Sequence, residues 1–309
     1  MPSCFFNRYL DKTEVFCPDD ACSGASFPSY PFGVIGSVSG FLFGTAFVCG
    51  GARTTYKNCE AKDGINYCSK NAECVKTTGG ALWCTGPKIN ECYTYDATVT
   101  RNWALSSIGL QTSRAYAASV VLPDGRFWVL GGADESSILK STEFLQITET
   151  GIVKATAGPN MQEPLMSHCA ALVSSNQVIV IGGFSSSLND YSPVVRVYDF
   201  NTQTWFKRRA GPRIDSSCLN VDINGQRRVL LAGGWNNNIL ADTAVFSDTD
   251  YQWLVLNRTD LSPTLLPFPL RSSVMIERNQ KPYLLGGVTC PSKPCAQTTT
   301  GKNLKNYSN

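Results

Sequence analysis

Thirteen cysteines and a single histidine set what chemistry this 309-residue chain can do. The cysteines stand at 4, 17, 22, 49, 59, 68, 74, 84, 92, 169, 218, 290 and 295, nine of them before residue 93. A structural zinc centre wants closely paired thiolates in C-x2–4-C spacing. The tightest pairs, Cys17–Cys22 and Cys290–Cys295, lie far apart, and Cys59, Cys68, Cys74 and Cys84 contain no C-x2-C. This spacing favours disulfides in an oxidising compartment over zinc, and no metal site is expected. The odd total leaves at least one thiol unpaired or bonded to another chain. His168 alone excludes a multi-histidine metal centre and allows at most one imidazole base. Its neighbour is Cys169, but adjacent residues of a strand point to opposite faces, so the two read as structural and not as a nucleophile–base pair. No P-loop, G-x-S-x-G or H-E-x-x-H sequence occurs. Neither a catalytic residue nor a cofactor is expected.

Composition narrows the partners. Lys and Arg number 27 against 24 Asp and Glu, a net charge of +3, and the densest basic cluster is only Lys207-Arg208-Arg209. That is too little for nucleic acid. Hydrophobic residues at 43% and charged residues at 17% suit a globular core. The sequons Asn257-Arg258-Thr259 and Asn306-Tyr307-Ser308 agree with an extracellular or secretory-pathway location. The first residues show no basic and then apolar leader, so the chain is read as a fragment, with a cytoplasmic location as the alternative. The uncharged stretch 32–48, FGVIGSVSGFLFGTAFV, could pass for a membrane span. Its Gly and Ser content and its phase with the repeats below make it two buried strands instead, and no membrane span is expected.

These residues must be positioned by something periodic. An apolar run ending in Gly-Gly recurs five times, at Gly50-Gly51, Gly131-Gly132, Gly182-Gly183, Gly233-Gly234 and Gly286-Gly287, in steps of 81, 51, 51 and 53 residues. Before each of the last four lies a second apolar run, separated by a polar turn such as Pro123-Asp124-Gly125 or Asn224-Gly225. Such turns between apolar runs signal hairpins, because both turn positions must tolerate φ > 0. A polar loop and an aromatic strand follow each of the first four diglycines, with Tyr95 and Tyr198 before an aspartate and Phe144 in the second repeat. Trp103, Trp205 and Trp253 come shortly after in three repeats. No segment shows a capped 3.6-residue period, so helix should be scarce.

The diglycine closing a second strand, the Tyr-Asp pair on a third and the Trp on a fourth resemble kelch repeats, over residues 31–290. The resemblance implies an all-β, kelch-type β-propeller of four-stranded antiparallel blades, six-bladed and incomplete in this chain. The glycines, tyrosines and tryptophans are then blade architecture. Residues 1–30 read as an irregular cysteine-bearing segment, and 291–309 as a polar tail. Galactose-oxidase-like propellers share the repeat but bind copper through histidines and tyrosines, which one histidine cannot supply.

The first step is about 30 residues too long. The surplus falls between the second and third strands of the first repeat, within 52–91, and reads as a cysteine-stapled loop that is a surface insertion or a partner site. Cys49 ends the second strand and Cys92 opens the third; these strands are neighbours in one blade, within disulfide reach. Cys290 and Cys295 are the other disulfide candidates. The kelch resemblance further implies that loops after the diglycines, and loops leading into the inner strands, form a binding rim. The first set offers Asp134, Trp235 and Asn237; the second offers Arg114, Arg213 and Arg271, either as anchors for carboxylates or paired between blades. The expected function is a non-enzymatic scaffold for a protein or glycan partner. A cytosolic ubiquitin-ligase adaptor is the alternative, and a propeller enzyme the remote one.

Overall fold

A computed structural model describes residues 3–6, 13–16, 28–58, 73–76, 82–95, 101–209, 213–223, 225–246, 253–254, 266, 268–278 and 281–287. Every regular element among them is a β-strand. The chain divides into two compact units, Met1–Ala117 with Asp124–Asn160, and Ala118–Pro123 with Met161–Asn309.

The diglycine repeats each build one sheet. In the first unit, repeat 1 joins Val38–Leu42, Thr45–Cys49, Cys92–Tyr95 and Trp103–Leu105 in sequential antiparallel order. Repeat 2 contributes Arg126–Leu130, Thr142–Thr148 and Gly151–Ala157 to that unit in the same order. In the second unit, repeat 3 joins Cys169–Ser174, Gln177–Ile181, Val194–Asp199 and Thr204–Arg209. Repeat 4 joins Ser217–Ile223, Gln226–Ala232, Thr243–Phe246 and Trp253–Leu254. Repeat 5 shows the pair Val274–Arg278 and Lys281–Leu285. The stretch 32–48 therefore supplies strands, as its phase implied, and no helix of the described residues is long and apolar enough to cross a membrane.

Burial explains the sequence pattern. The second strands of repeats 1 to 3 are buried at every position after their first residue. They are covered on both faces, so their residues form a continuous apolar run instead of alternating. The inner strand Cys169–Ser174 alternates buried and half-buried, as a strand with one covered face should. Between repeats 3 and 4, Ile179, Ile181, Val195 and Val197 pack with Val229, Leu231 and Phe246 in one cluster. Each such side chain taken from water contributes roughly 1.5–3 kcal/mol. A lone sheet would leave one of these faces wet, which is why the repeats must stack.

The aromatic pairs sit in one place of each blade. Tyr95 opposes Trp103 and Tyr198 opposes Trp205, with ring centroids 5.4 and 5.0 Å apart, and Trp253 holds the same register position opposite Phe246. Repeat 2 lacks a Trp on its fourth strand. There Trp128, from the second strand, stacks on Phe144 at 5.3 Å, and the Arg126 guanidinium lies 4.3 Å from the same ring. The indole is supplied by the opposite neighbour of the aromatic strand.

Two expectations are corrected. The insertion within 52–91 is not merely a stapled loop: Ala52–Asn58 continues directly past the diglycine and joins Val34–Ile35, Leu82–Lys88 and Glu73–Lys76 in a four-stranded sheet. Its register breaks twice, and Cys74 stands opposite Cys84. The β-branched and aromatic residues of ARTTYKN and LWCTGPK favour strands. The segment before residue 30 is not wholly irregular either, since Ser3–Phe6 pairs with Thr13–Phe16. Cys59, Cys68, Cys290, Cys295, both sequons and the tail 291–309 lie outside the described residues.

Among the described residues, two disulfides tie strands together. Cys49 bonds Cys92 across the second and third strands of repeat 1, with Cα atoms 4.1 Å apart in direct register. Cys169 bonds Cys218, Cα atoms 6.0 Å apart, between the inner strands of repeats 3 and 4. Non-reducing peptide mapping is expected to recover the Cys49 peptide linked to the Cys92 peptide, and Cys169 linked to Cys218. Closing a loop of sequence separation 43 restricts the unfolded chain, so Cys49→Ala with Cys92→Ala is expected to lower unfolding stability by about 4 kcal/mol in the chain-entropy model. A Cys49 peptide recovered as free thiol would sink this assignment.

Candidate functional site

The loops around the diglycines are shaped by how closely the backbones approach. Gly182 and Gly183 have φ of 65° and 95°. A Cβ on Gly182 would collide with the Arg213 carbonyl oxygen of the next repeat, and one on Gly233 with that of Leu270. The following N–H groups donate to those same oxygens, Gly183 to Arg213 and Gly234 to Leu270 at 2.8 Å, and in the first unit Gly51 to Arg114 at 2.7 Å. The diglycine is thus the joint that receives the next repeat, and only residues without a side chain fit.

The arginines complete this joint. Arg114 is 1% exposed and pairs with Glu143 at 2.5 Å. Its guanidinium also donates to the Gly131 carbonyl at 2.7 Å and to that of Ser141 at 3.0 Å. The Glu143 carboxylate accepts the backbone N–H groups of Gln111 and Thr112 as well. Arg213 repeats the arrangement: it donates to the Gly233 carbonyl at 3.1 Å and binds Asp242 through both carboxylate oxygens, at 3.1 and 2.7 Å. Each of these residues therefore links two repeats, its backbone carbonyl to the preceding diglycine and its side chain to its own. Arg114 and Arg213, read from the sequence either as anchors for a partner or as pairs between blades, are here engaged within the chain. Their carboxylates come from the same chain, and Arg114 is out of reach of solvent.

Repeat 3 uses the same contact with the charges exchanged. Arg196 holds the register position of Glu143, each opposite the residue two before its diglycine. It is fully buried and pairs with Glu163 from the loop before the inner strand. Ser192 Oγ accepts from Arg196 at 2.8 Å, and Ser185 Oγ donates to Glu163 at 2.7 Å. Burial pulls the Arg196 guanidinium down to about 10, so it remains protonated at neutral pH.

Arg271 is out of phase with the other two. Gly36, Tyr116, Ser167, Asp215 and Ser272 each have positive φ, 54–63°, and each stands two residues before an inner strand. Counting from them, Arg114 and Arg213 match Leu270, while Arg271 matches Ala115 and Ile214. Within the second unit these turns are tied in series, Asp215 N–H donating to Ser167 O at 2.9 Å and Ser272 N–H to Asp215 O at 2.8 Å. In the first unit Tyr116 N–H donates to Gly36 O at 2.7 Å.

That offset places Arg271 elsewhere. Its guanidinium lies 5.2 Å from the centre of the Trp235 ring and 3.7 Å from the Asp215 carboxylate. Trp235 Nε1 donates to Tyr191 Oη at 3.1 Å. Tyr191 packs edge-on against Phe184, centroids 6.4 Å apart, and pairs with it in the strand register. Phe184 and Trp235 are the first residues after their diglycines. The result is an aromatic and cationic ladder from repeat 3 to repeat 5, all within the second unit. Beside it Asn237 is exposed with φ of 59°, a conformation asparagine tolerates well. Of the expected rim residues, Trp235, Asn237 and Arg271 come together here. Tyr191, Asp215 and Phe184 are added by the structure; only the placement of Phe184 directly after a diglycine marked it in the sequence.

Asp134 belongs to the other unit and closes its own turn. Its Oδ1 accepts the N–H groups of Ser136 and Ser137 at 2.8 and 2.7 Å. Burial pushes its carboxyl up, but these bonds and the two serine hydroxyls outweigh that and hold it below the usual range. His168 is buried beneath Gly183, as a structural histidine would be. Among the described residues no three His, Cys, Asp or Glu side chains gather as metal ligands.

A family model for the kelch motif matches residues 166–207, the third repeat. The fold is similar to the solved structure of YjhT, with a TM-score of 0.62 and 12% sequence identity over 94% of this chain and 90% of that chain. No curated protein sequence matches the chain. The chain carries the kelch motif and has the kelch-type β-propeller fold that its repeats implied.

The buried pairs give a direct test. Arg114→Met or Glu143→Gln alone is expected to cost about 3–5 kcal/mol, because each strands a buried charge. The double substitution Arg114→Met with Glu143→Gln should cost less than the sum of the two single losses. Exchanging Glu163→Arg with Arg196→Glu should be milder than each single change. Chemical denaturation of the six proteins measures this, and additive losses would show that the charges do not pair.

Proposed function

We propose that this chain is a non-enzymatic binding module that works in an oxidising compartment outside the cytosol and takes a protein or glycan partner on the Trp235 side of its second unit. The observation that carries this is the ladder Phe184–Tyr191–Trp235–Arg271, which gathers aromatic and cationic side chains on loops. Aromatic residues and arginine are the side chains most enriched at binding hot spots. Loops on a rigid scaffold are where binding residues concentrate. The Cys49–Cys92 and Cys169–Cys218 bonds support the compartment and weigh against a cytosolic adaptor. The lone histidine, buried, leaves no imidazole at this rim to act as a general base.

Two measurements test this. Of the thirteen cysteines, at most a small odd remainder should react with a thiol reagent in denatured, unreduced protein; wholesale reactivity would return the chain to the cytosol. Immobilised full-length protein is expected to retain soluble extracellular material from its source that a Trp235→Ala, Asn237→Gly variant does not. Equal retention by both proteins would remove this rim from the reading, and turnover of a hydrolase or oxidase substrate by purified protein would overturn the non-enzymatic assignment.

A further inference from the structure

Resting on the binding reading above, we propose that Trp235 and the asparagines beside it form a site for an uncharged saccharide. Three features of the second unit point to this ligand class and away from a protein or an acidic group.

The aromatic surface is fixed before any ligand arrives. The Trp235 N–H is used by Tyr191, and the Arg271 guanidinium rests on the ring, so the indole is held in one orientation while remaining partly exposed. Little rotamer entropy is lost when a flat, apolar sugar face settles on such a platform. Ring C–H groups are the part of a saccharide that seeks an aromatic face.

The charges at this place are already matched. Arg271 faces Asp215, and Arg213 is held bidentately by Asp242. An anionic ligand would have to displace a carboxylate of the chain itself, and a cationic one would meet two arginines. What remains for hydrogen bonding is neutral. Asn236, Asn237 and Asn238 follow Trp235 directly in a tight hairpin, Asn237 and Asn238 exposed, with no described side chain engaging their amides. A primary amide offers two donors and an acceptor, the complement of vicinal hydroxyls. The Tyr191 hydroxyl accepts from Trp235 and keeps its own proton to donate.

The described residues of this unit offer few exposed apolar anchors for a protein partner. Among the described large hydrophobics of this unit, only Leu188 is exposed, at 52%. A stable protein interface buries roughly 800 Å² per partner around several desolvated apolar anchors. A partly exposed ring flanked by amides suits a ligand of one to a few sugar units.

The test uses full-length, oxidised protein and a defined panel of soluble oligosaccharides: chito-oligosaccharides, N-acetyllactosamine, manno-oligosaccharides and cello-oligosaccharides, with sialyllactose and a sulfated disaccharide as acidic controls. Calorimetry and saturation-transfer NMR are expected to give saturable binding of at least one neutral member. Trp235→Ala should weaken it about tenfold or more. Asn237→Gly, which keeps the positive φ, should weaken it several-fold. Affinity should be unchanged up to about 0.5 M salt, since no ion pair forms. Tyr191→Phe should weaken binding while leaving the thermal midpoint close to wild type, which separates a binding effect from a folding one. Binding confined to the acidic controls and lost with salt would overturn the proposal. So would neutral binding untouched by both Trp235→Ala and Asn237→Gly, or no binding across the panel. If the panel fails while immobilised protein still retains protease-sensitive material through this rim, the saccharide fails and the binding reading stands. If both fail, both are wrong.

Discussion

A carbonyl oxygen seated against a glycine governs how these repeats join. The second residue before three of the positive-φ turns offers its backbone oxygen to the preceding diglycine: Arg114 to Gly51, Arg213 to Gly183 and Leu270 to Gly234. A methyl group at the first glycine would fill the place of that oxygen. In repeats 1, 3 and 4 that oxygen leaves no room for a side chain, and in all five repeats both glycines have the positive φ that glycine adopts most readily. Their N–H groups and the loop carbonyls would otherwise be buried without partners, at about 1–3 kcal/mol for each group. Where the repeat supplies an arginine at this position, one residue clamps two blades at once: the main chain belongs to one joint and the guanidinium to the next.

The rest of the molecule follows from that spacing. Once adjacent loops are fixed, the second strands of repeats 1 to 3 lie covered on both sides and can be apolar throughout. The aromatic pair on the outer strands can then be built from either side, as Trp128 does in repeat 2 when the fourth strand has no tryptophan. The turn residues with positive φ must tolerate a conformation worth roughly 1–2 kcal/mol to a residue with a side chain. Tyr116, Ser167, Asp215 and Ser272 do so in four repeats, and only the first uses glycine. The ladder of main-chain hydrogen bonds through these turns compensates.

What the sequence disclosed depended on whether a position demanded one residue type. Only glycine fits the joint, so the diglycines were legible, and with them the repeat length, the strand order and the Cys49–Cys92 neighbours. The positive-φ turns were illegible, because Gly, Tyr, Ser, Asp and Ser share no side-chain chemistry; the backbone alone repeats. Arg271 was grouped with Arg114 and Arg213 because all three precede an inner strand closely. A shift of one residue reverses which way a strand-like segment points its side chain, and that shift separates a structural clamp from a residue resting on Trp235. Cys169 and Cys218 escaped for a related reason. They differ by one position in their repeats, Cys169 opposing the residue just before its diglycine and Cys218 the one before that, so no common phase linked them. The sheet in the insertion was masked by polar residues and by two breaks in its register.

The exchanged polarity of repeat 3 distinguishes otherwise similar modules. Repeats 2 and 4 bring an arginine from the loop to an acid at the third strand, whereas repeat 3 brings Glu163 to Arg196. A folding chain that docked the repeat 2 loop onto the repeat 3 sheet would press two guanidinium groups together in a dry space. Docking the repeat 3 loop onto the repeat 2 sheet would do the same with two carboxylates. Tandem modules of similar length are prone to such neighbour exchange while they fold. Reversing the sign of this contact in repeat 3 alone sets its loop and sheet apart from those of repeats 2 and 4, and so disfavours exchange between such neighbours.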